Sequence, residues 1–342
     1  MKGVAMKVVV TGGAGFIGAH LCRELAMRPG VSEVVAFDDL SSGSAENLKD
    51  EALEDCGGAV RALGTSGGEV RLVRGSVLER EHLEEVLDGA DAVVHLAACP
   101  SVTRSMDDPA FSHRVNATGT VRLLEVCRSR KELHLVAASS SSVYGSVSGL
   151  PEPEGLSARP LSPYSASKLA AEAYVLAYGA GFGLPTLALR FFNVYGPLQR
   201  ADKPHAAVVP TFVAAALRRR PLCIKGDGLQ TRDFTYVGTV ARVLADAVVR
   251  RVTCPAPVNL AFGERVSLLE LAHLVGEVVG VPVDIRHEPP RPGDIRNSQP
   301  VAGTLLRRLF PDVAPVSLRT GLEQTVAWLR KSLDRESTGL PV

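Results

Sequence analysis

Tyr164 and Lys168 stand four residues apart in the run YSASK. On a helix that spacing puts both side chains on one face. An ammonium beside a phenol favours the phenolate and lowers its pKa, as a general base near neutral pH requires. Upstream, Ser139 to Ser142 form a run of four hydroxyls. A third feature is TGGAGFIG over residues 11–18, with glycines at 12, 15 and 18; Gly13, Gly15 and Gly18 also satisfy GxGxxG. Glycine there permits a tight turn, lets backbone N–H groups approach a pyrophosphate, and lets a helix pack close to its strand. The anion then meets the positive end of that helix. Asp38 follows Gly18 by 20 residues and closes the next apolar run, where a carboxylate can grip the hydroxyls of an adenosine ribose. The same carboxylate repels a 2′-phosphate, and no Arg follows it directly, so NAD is favoured over NADP.

These residues need elements to hold them. Met6 to Thr11 is a short β-branched run, and Phe16 to Met27 has helical apolar spacing. Glu33 to Phe37 predicts a second strand, ending at Asp38-Asp39. Further strands are expected at Val70–Val73, Ala92–Ala97, Leu133–Ala138 and Thr186–Phe191, and helices at Arg80–Leu87, Phe111–Arg128 and Pro163–Tyr178. Near-continuous apolar strands alternating with helices predict a parallel sheet covered on both faces. With right-handed crossovers this is an α/β, doubly wound (Rossmann) fold. Ser162-Pro163 opens the Tyr164 helix with a capping residue and a proline in the first turn. The serine run sits at the C-terminal end of a strand, where open α/β sheets place ligands.

Residues 50–69, rich in glycine and small side chains, read as a surface loop. After Asn193 the alternation becomes irregular and Pro, Gly and Arg cluster. The expected division is a dinucleotide-binding domain over 1–190 and a smaller C-terminal α/β substrate domain over 191–342. The segment near 233–262 is a candidate to return to the first.

Composition limits the partners. The 342 residues allow two domains. Lys and Arg number 38 against 37 Asp and Glu, a net +1, which argues against nucleic acid as the main partner. Arg218 to Arg220 reads as a solvated helix end. The six cysteines are scattered, with no CxxC pair and no His at ligand spacing, so neither a metal site nor a disulfide framework is expected. No signal peptide and no apolar run of the ~18 residues a membrane span needs is evident, and a soluble cytoplasmic protein is expected.

TGGAGFIG at 11–18, HLAA at 95–98, Asn116, SSSSVYG at 139–145, YSASK at 164–168, RFFNVYGP at 190–197, TRDFTYV at 231–237 and RPGDIR at 291–296 span nearly the whole chain. As a set they resemble the extended short-chain dehydrogenase/reductase superfamily, specifically its NAD-dependent nucleotide-sugar epimerases and dehydratases. The resemblance implies that Tyr164 is the base, Lys168 its partner and a nicotinamide-ribose ligand, and Ser140 the group that hydrogen-bonds the sugar O4. It places Gly12, Gly15, Phe16, Ile17, Gly18, Asp38, Ser76, Val77, Leu96, Ala97, Ala98 and Asn116 around NAD. It gives Asn193, Arg232 and Arg291 the UDP pyrophosphate, and Asp294 the uridine ribose. Guanidinium groups suit a diphosphate because they bind phosphate oxygens bidentately; surface salt bridges are the other reading of both arginines. Two positions depart from the family. Ser76 stands where an Asp usually meets adenine, and Gly238 where an acidic residue is common.

The residues after Ser140 separate reactions within that family. The 4,6-dehydratases carry Asp-Glu there, and UDP-glucuronate decarboxylases have Glu at the position of Ser142. Ser141 and Ser142 offer only hydroxyls, which leaves 4-epimerisation. The same hydroxyls suit a C6 carboxylate, and the resemblance matches Arg200 of GPLQR to an arginine that UDP-glucuronate 4-epimerases place near the active site; both favour UDP-glucuronate/UDP-galacturonate. Asn193 and the small Ser298 keep UDP-N-acetylglucosamine and UDP-glucose in view. Arg104 fits the pocket lip and a structural salt bridge equally well. His95 reads as a packed core histidine. The resemblance also implies a homodimer through the helices near Val115–Arg128 and Tyr164–Tyr178. A non-catalytic NAD-binding regulator or a reductase is the reading from a different class.

Overall fold

The computed structural model describes residues 5–49, 53–56, 59–62, 68–130, 132–145, 153–202, 206–289 and 304–337. Strand β1 (Met6–Thr11) passes through the glycine turn into α1 (Phe16–Ala26), and β2 (Val31–Asp38) follows. Next come β3 (Leu53–Cys56), β4 (Ala59–Ala62), β5 (Glu69–Arg74), α2 (Arg80–Val86) and β6 (Ala92–His95). Helices α3 (Val102–Asp107), α4 (Pro109–His113) and α5 (Gly119–Arg128) precede β7 (His134–Ser140), with a π-helical turn at Arg114–Thr118. Helix α6 (Pro163–Phe182) leads to β8 (Thr186–Phe191) and β9 (Asn193–Tyr195). The rest comprises α7 (Val208–Leu217), β10 (Leu222–Lys225), β11 (Thr231–Arg232), β12 (Phe234–Tyr236), α8 (Val237–Val249) and β13 (Val258–Leu260). It closes with β14 (Val266–Ser267), α9 (Leu268–Val279), β15 (Ile285–Glu288), α10 (Thr304–Leu309) and α11 (Leu318–Ser337).

The main sheet runs β13-β8-β7-β6-β1-β2-β5-β4-β3. Its seven strands from β13 to β5 are all parallel. Alternate side chains go to opposite faces: Val8, Val10, Val34 and Val94 join one core with α1 and α8, while Val9, Val35 and Val93 join another with α2, α5 and α6. Both sets are fully buried, which is why these strands are apolar throughout rather than alternating. Burying each such valine contributes about 1.5 kcal/mol or more.

One expectation is corrected at the sheet edge. Residues 50–69 were expected to be a loop, yet they carry β3 and β4, with β4 antiparallel to β5. Without them β5 would end the sheet with a row of unpaired backbone groups, and a short hairpin satisfies that edge. The remainder of that glycine-rich stretch, apart from Gly68 and Glu69, lies outside the described residues.

Beyond Asn193 the chain builds a third core from α7, α9 and α11, around Phe212, Leu271 and Leu322. The chain also returns to the first sheet. Strand β13 pairs with β8, and Val240, Val243 and Leu244 of α8 pack in the core beside α1. No helix among the described residues is long and apolar enough to cross a membrane.

Candidate active site

Strand β1 lies between β2 and β6, so connections leave it toward opposite sides, and a crevice opens beyond its C-terminal end. The glycine turn forms the floor of that crevice. Gly12 has φ +73°, and a Cβ there would sit 2.8 Å from the Ala97 backbone nitrogen. A Cβ on Gly18 would stand 2.1 Å from the Gly12 carbonyl oxygen, so only glycine lets α1 start this close to its strand. Gly15 caps α1 without any side-chain hydrogen bond, and the first turn carries no acidic residue. The positive end of the helix is therefore left to an anion.

Asp38 closes β2 on the same crevice. Its Oδ2 accepts from the Ala14 N–H at 3.0 Å and its Oδ1 from the Leu40 N–H at 2.8 Å. Burial pushes this carboxyl above its usual range, and the backbone N–H groups oppose that. The turn, the open helix end and the anchored carboxylate fit the pyrophosphate and ribose of a dinucleotide.

The cleft has a volume of about 430 Å³. It brings together Gly12, Gly15, Phe16, Ile17, Gly18, Asp38, Ser76, Val77, Leu96, Ala97 and Ala98 on one side, and Ser140, Tyr164, Lys168 and Asn193 on the other. Sequence reasoning missed several of its walls. Ser41 and Ser42 follow the Asp38-Asp39 pair after one residue, Leu40, and were findable from that position; Phe192 and Gln199 gave no such signal.

Helix α6 places the Tyr–Lys pair. The Ser162 hydroxyl accepts the Ser165 N–H at 3.1 Å, with Pro163 in the first turn, and the helix ends at Gly183 in the left-handed region. The Tyr164 phenol stands beside the Ser140 hydroxyl, whose Oγ lies 2.9 Å from that of Ser142. Lys168 donates to the Ala138 carbonyl at 2.5 Å. Burial lowers Lys168 to about 8, with Glu172 pulling it back upward. Burial also raises the Tyr164 phenol; the neighbouring Ser140 hydroxyl opposes that rise and Cys99 adds to it. The sequence reading expected Lys168 to depress the phenol. In the protein alone, removal from water is the largest influence on the phenol, Lys168 is not among the others, and its ammonium is turned to the Ala138 carbonyl.

Other expected site residues lie elsewhere. Asn116, expected at the cofactor, is buried behind the cleft in the π-helical turn. Its Oδ1 accepts from the Cys99 N–H at 2.7 Å and its Nδ2 donates to Ser167 at 2.9 Å, so it braces α6 against the loop after β6. Arg104 is exposed and its guanidinium stacks on Phe111 at 4.4 Å, neither lining the described cleft nor joining the expected salt bridge. Arg200 grips Asp202 through two hydrogen bonds on an exposed surface, because a carboxylate two residues away is its nearest fork-shaped match. Ser141 and Ser142 fall in a short 3₁₀ turn and do not line the described cleft, since that turn directs Ser142 to Ser140. Arg232, half-buried on β11, donates to the Thr231 carbonyl at 2.9 Å and is likewise off the described lining. Arg291, Asp294 and Ser298 lie outside the described residues.

His95 is a buried core residue held between the hydroxyls of Thr11 at 2.7 Å and Thr120 at 2.9 Å. Burial, helped by the Lys168 charge, drops it to about 3.

A dinucleotide cradle whose cleft ends at a helical Tyr–Lys pair and a strand-end serine defines a nicotinamide-nucleotide enzyme of the short-chain dehydrogenase/reductase kind. Within that class, the chain belongs to the NAD dependent epimerase/dehydratase family, whose model matches residues 8–261. It is 37% identical over 336 residues to the UDP-glucose 4-epimerase of Mycolicibacterium smegmatis, covering 95% of this chain and 99% of that one. Among solved structures it is similar to the UDP-N-acetylglucosamine 4-epimerase of Methanobrevibacter ruminantium M1. That match has a TM-score of 0.85 and 30% identity, over 96% of this chain and 99% of the other. It is also similar to the UDP-glucuronic acid 4-epimerase of Bacillus cereus, with a TM-score of 0.82 and 30% identity over 96% and 100% of the two chains. NAD is the cofactor the family uses.

Proposed function

We propose that this protein is a 4-epimerase of UDP-hexoses. The observation that carries the reading is the convergence of Ser140, Tyr164 and Lys168 on the dinucleotide cleft, with hydroxyls and no carboxylate at 141 and 142. Ser140 holds the sugar O4 against Tyr164. The Tyr164 phenolate takes the C4-OH proton, becoming the neutral phenol, and is regenerated when that proton is returned; the Lys168 ammonium stabilises the phenolate form. The glycine turn and Asp38 would hold NAD, which would supply the hydride acceptor for C4 and the hydride for its re-reduction. Turning the 4-keto sugar over between those events presents its opposite face, which inverts C4 and leaves NAD unchanged overall. A dehydratase or decarboxylase needs an added carboxylate beside Ser140, and Ser141 and Ser142 do not supply one.

For the sugar, the finer reading takes UDP-glucuronate/UDP-galacturonate. The Ser140–Ser142 hydroxyl pair and the likeness to the Bacillus cereus enzyme support it. A second reading takes UDP-glucose or UDP-N-acetylglucosamine. Asn193 on the cleft wall and the Arg200–Asp202 pairing favour this one. In either case the segment from 191, less the part near 233–262, holds the UDP-sugar, with Arg232, Arg291 and Asp294 as its nucleotide ligands. Pairing of two copies through α5 and α6 belongs to the same reading, since Tyr174 and Phe182 stand exposed on α6. Assaying each UDP-sugar separately tests the assignment. C4 inversion of the uronates supports the finer reading, inversion of neutral sugars alone overturns it, and inversion of none overturns the epimerase.

A further inference from the structure

One buried cluster takes no part in the chemistry above. Glu172 lies four residues beyond Lys168 on α6 and shares its face. Arg190 of β8 grips its carboxylate twice, Nε to Oε2 at 2.8 Å and Nη2 to Oε1 at 2.6 Å, and Ser139 of β7 donates to Oε2 at 2.6 Å. Both charged side chains are almost wholly buried, at 3% and 5% exposed. Such a pair recovers little net stability, because desolvation consumes most of its attraction, and apolar residues would pack the same volume. Its placement is the informative part. Ser139, which holds Glu172, and Lys168 both line the cleft.

The groups around Lys168 and Glu172 come from four elements. Helix α6 itself supplies Tyr164 and Glu172. Strand β7 supplies the Ala138 carbonyl and the Ser139 and Ser140 hydroxyls. Strand β6 supplies His95, which burial keeps neutral, with Cys99 of the following loop near Tyr164. Strand β8 supplies Arg190, whose other contacts are the Tyr144 ring at 4.7 Å and the Glu154 carbonyl at 3.1 Å. The Glu154 carboxylate is turned away to the Asn259 N–H. Among these groups Glu172 is the anion that acts on Lys168, and Arg190 is the cation that grips Glu172.

We propose that the Glu172–Arg190 pair sets the charge on Lys168: Glu172 holds the ammonium in its protonated form, and Arg190 fixes that carboxylate and limits its field. Glu172 is thus a positioning residue, acting through Lys168. The direction fits the opposing pulls on Lys168, lowered by burial and raised by Glu172. The kinetic consequence rests on the epimerase reading above, whereas the titration of Lys168 does not.

The test is a heteronuclear NMR titration of lysine-labelled, NAD-loaded protein, with Lys168 assigned by its loss in Lys168→Met, alongside kcat against pH. Glu172→Gln leaves Arg190 unpaired, and the Lys168 midpoint and the alkaline limb of kcat fall by about one pH unit. Arg190→Gln leaves Glu172 unopposed, and both rise by about one. Opposite displacements support the proposal, whereas a purely structural pair weakens both variants without moving the midpoint in opposite directions. Should the single variants not fold, Glu172→Gln/Arg190→Met removes both charges, and its midpoint falls by roughly half a unit because Glu172 is the charge on the lysine's own helix face. An unchanged midpoint in that variant overturns the proposal. Shifted midpoints with no UDP-sugar inverted would sink the epimerase reading and leave this one standing.

Discussion

At the dinucleotide end of the cleft the contacts come from backbone: a turn only glycine can make, the uncapped start of α1, and a carboxylate pinned by two N–H groups. At the opposite end they come from side chains on separate elements, with Ser140 on β7, Tyr164 and Lys168 on α6, and Asn193 on β9. The first kind of site is encoded within about thirty consecutive residues, 11–38. The second exists only after β7, β8 and α6 have packed. A backbone site should therefore fail through steric change in the turn, and a side-chain site through loss of single functional groups.

The largest expected effect belongs to the side-chain end. Tyr164→Phe should lower kcat by about 10²- to 10⁴-fold while NAD stays bound, as measured by turnover and by cofactor content after gel filtration. Unchanged turnover would remove the phenol from the chemistry. At the backbone end, Gly18→Ala should weaken NAD retention by roughly 10- to 100-fold and lower Tm, because forcing a methyl into packed backbone costs about 1–3 kcal/mol. Calorimetry with added NAD measures it, and wild-type affinity would show that the turn is looser than its geometry. Asp38→Asn keeps the shape and loses the charge, so NAD binding should weaken by about 10-fold, in line with a charged hydrogen bond worth 1.5–3 kcal/mol.

The smallest effect concerns the Thr11–His95–Thr120 network beneath the cradle. His95, bonded to Thr11, is held at about 3, and His134 at about 4, mainly by burial. Both values lie below that of an unfolded histidine, so between pH 6.5 and 4 the unfolded chain binds more protons. Stability rises with pH across that window and is lost on acidification. The urea midpoint should fall steadily from pH 6.5 to 4, and less steeply in His95→Gln. Equal slopes in the two proteins would show that His95 is not held neutral.

The same contrast explains what could be read from the chain beforehand. The glycine spacing, Asp38 and the apolar strands that alternate with helices carry their meaning locally, and β1, β2, β5, β6, β7 and β8 form within a residue or two of expectation. Tyr164, Lys168 and Ser140 were recognisable because two are a helical turn apart and the third ends a strand. Arg104, Arg200 and Asn116 were not. Whether an arginine meets a ligand or a neighbour such as Asp202 or Phe111 depends on rotamers and packing that spacing does not encode. The Glu172–Arg190 pair was invisible for the same reason: its partners are 18 residues apart and meet only across the α6–β8 packing. The β3–β4 hairpin was missed because its glycines hide two four-residue strands that only the open edge of β5 draws into the sheet.

The central claim, inversion at C4 by transient oxidation on one tightly held NAD, has a direct test. The purified protein, with no NAD added, is incubated with UDP-sugars carrying deuterium at C4, and products are followed by NMR and mass spectrometry. The account predicts the C4 epimer with deuterium retained at C4 and no net reduction of cofactor. A product that has lost the label, eliminated water or released carbon dioxide would contradict it.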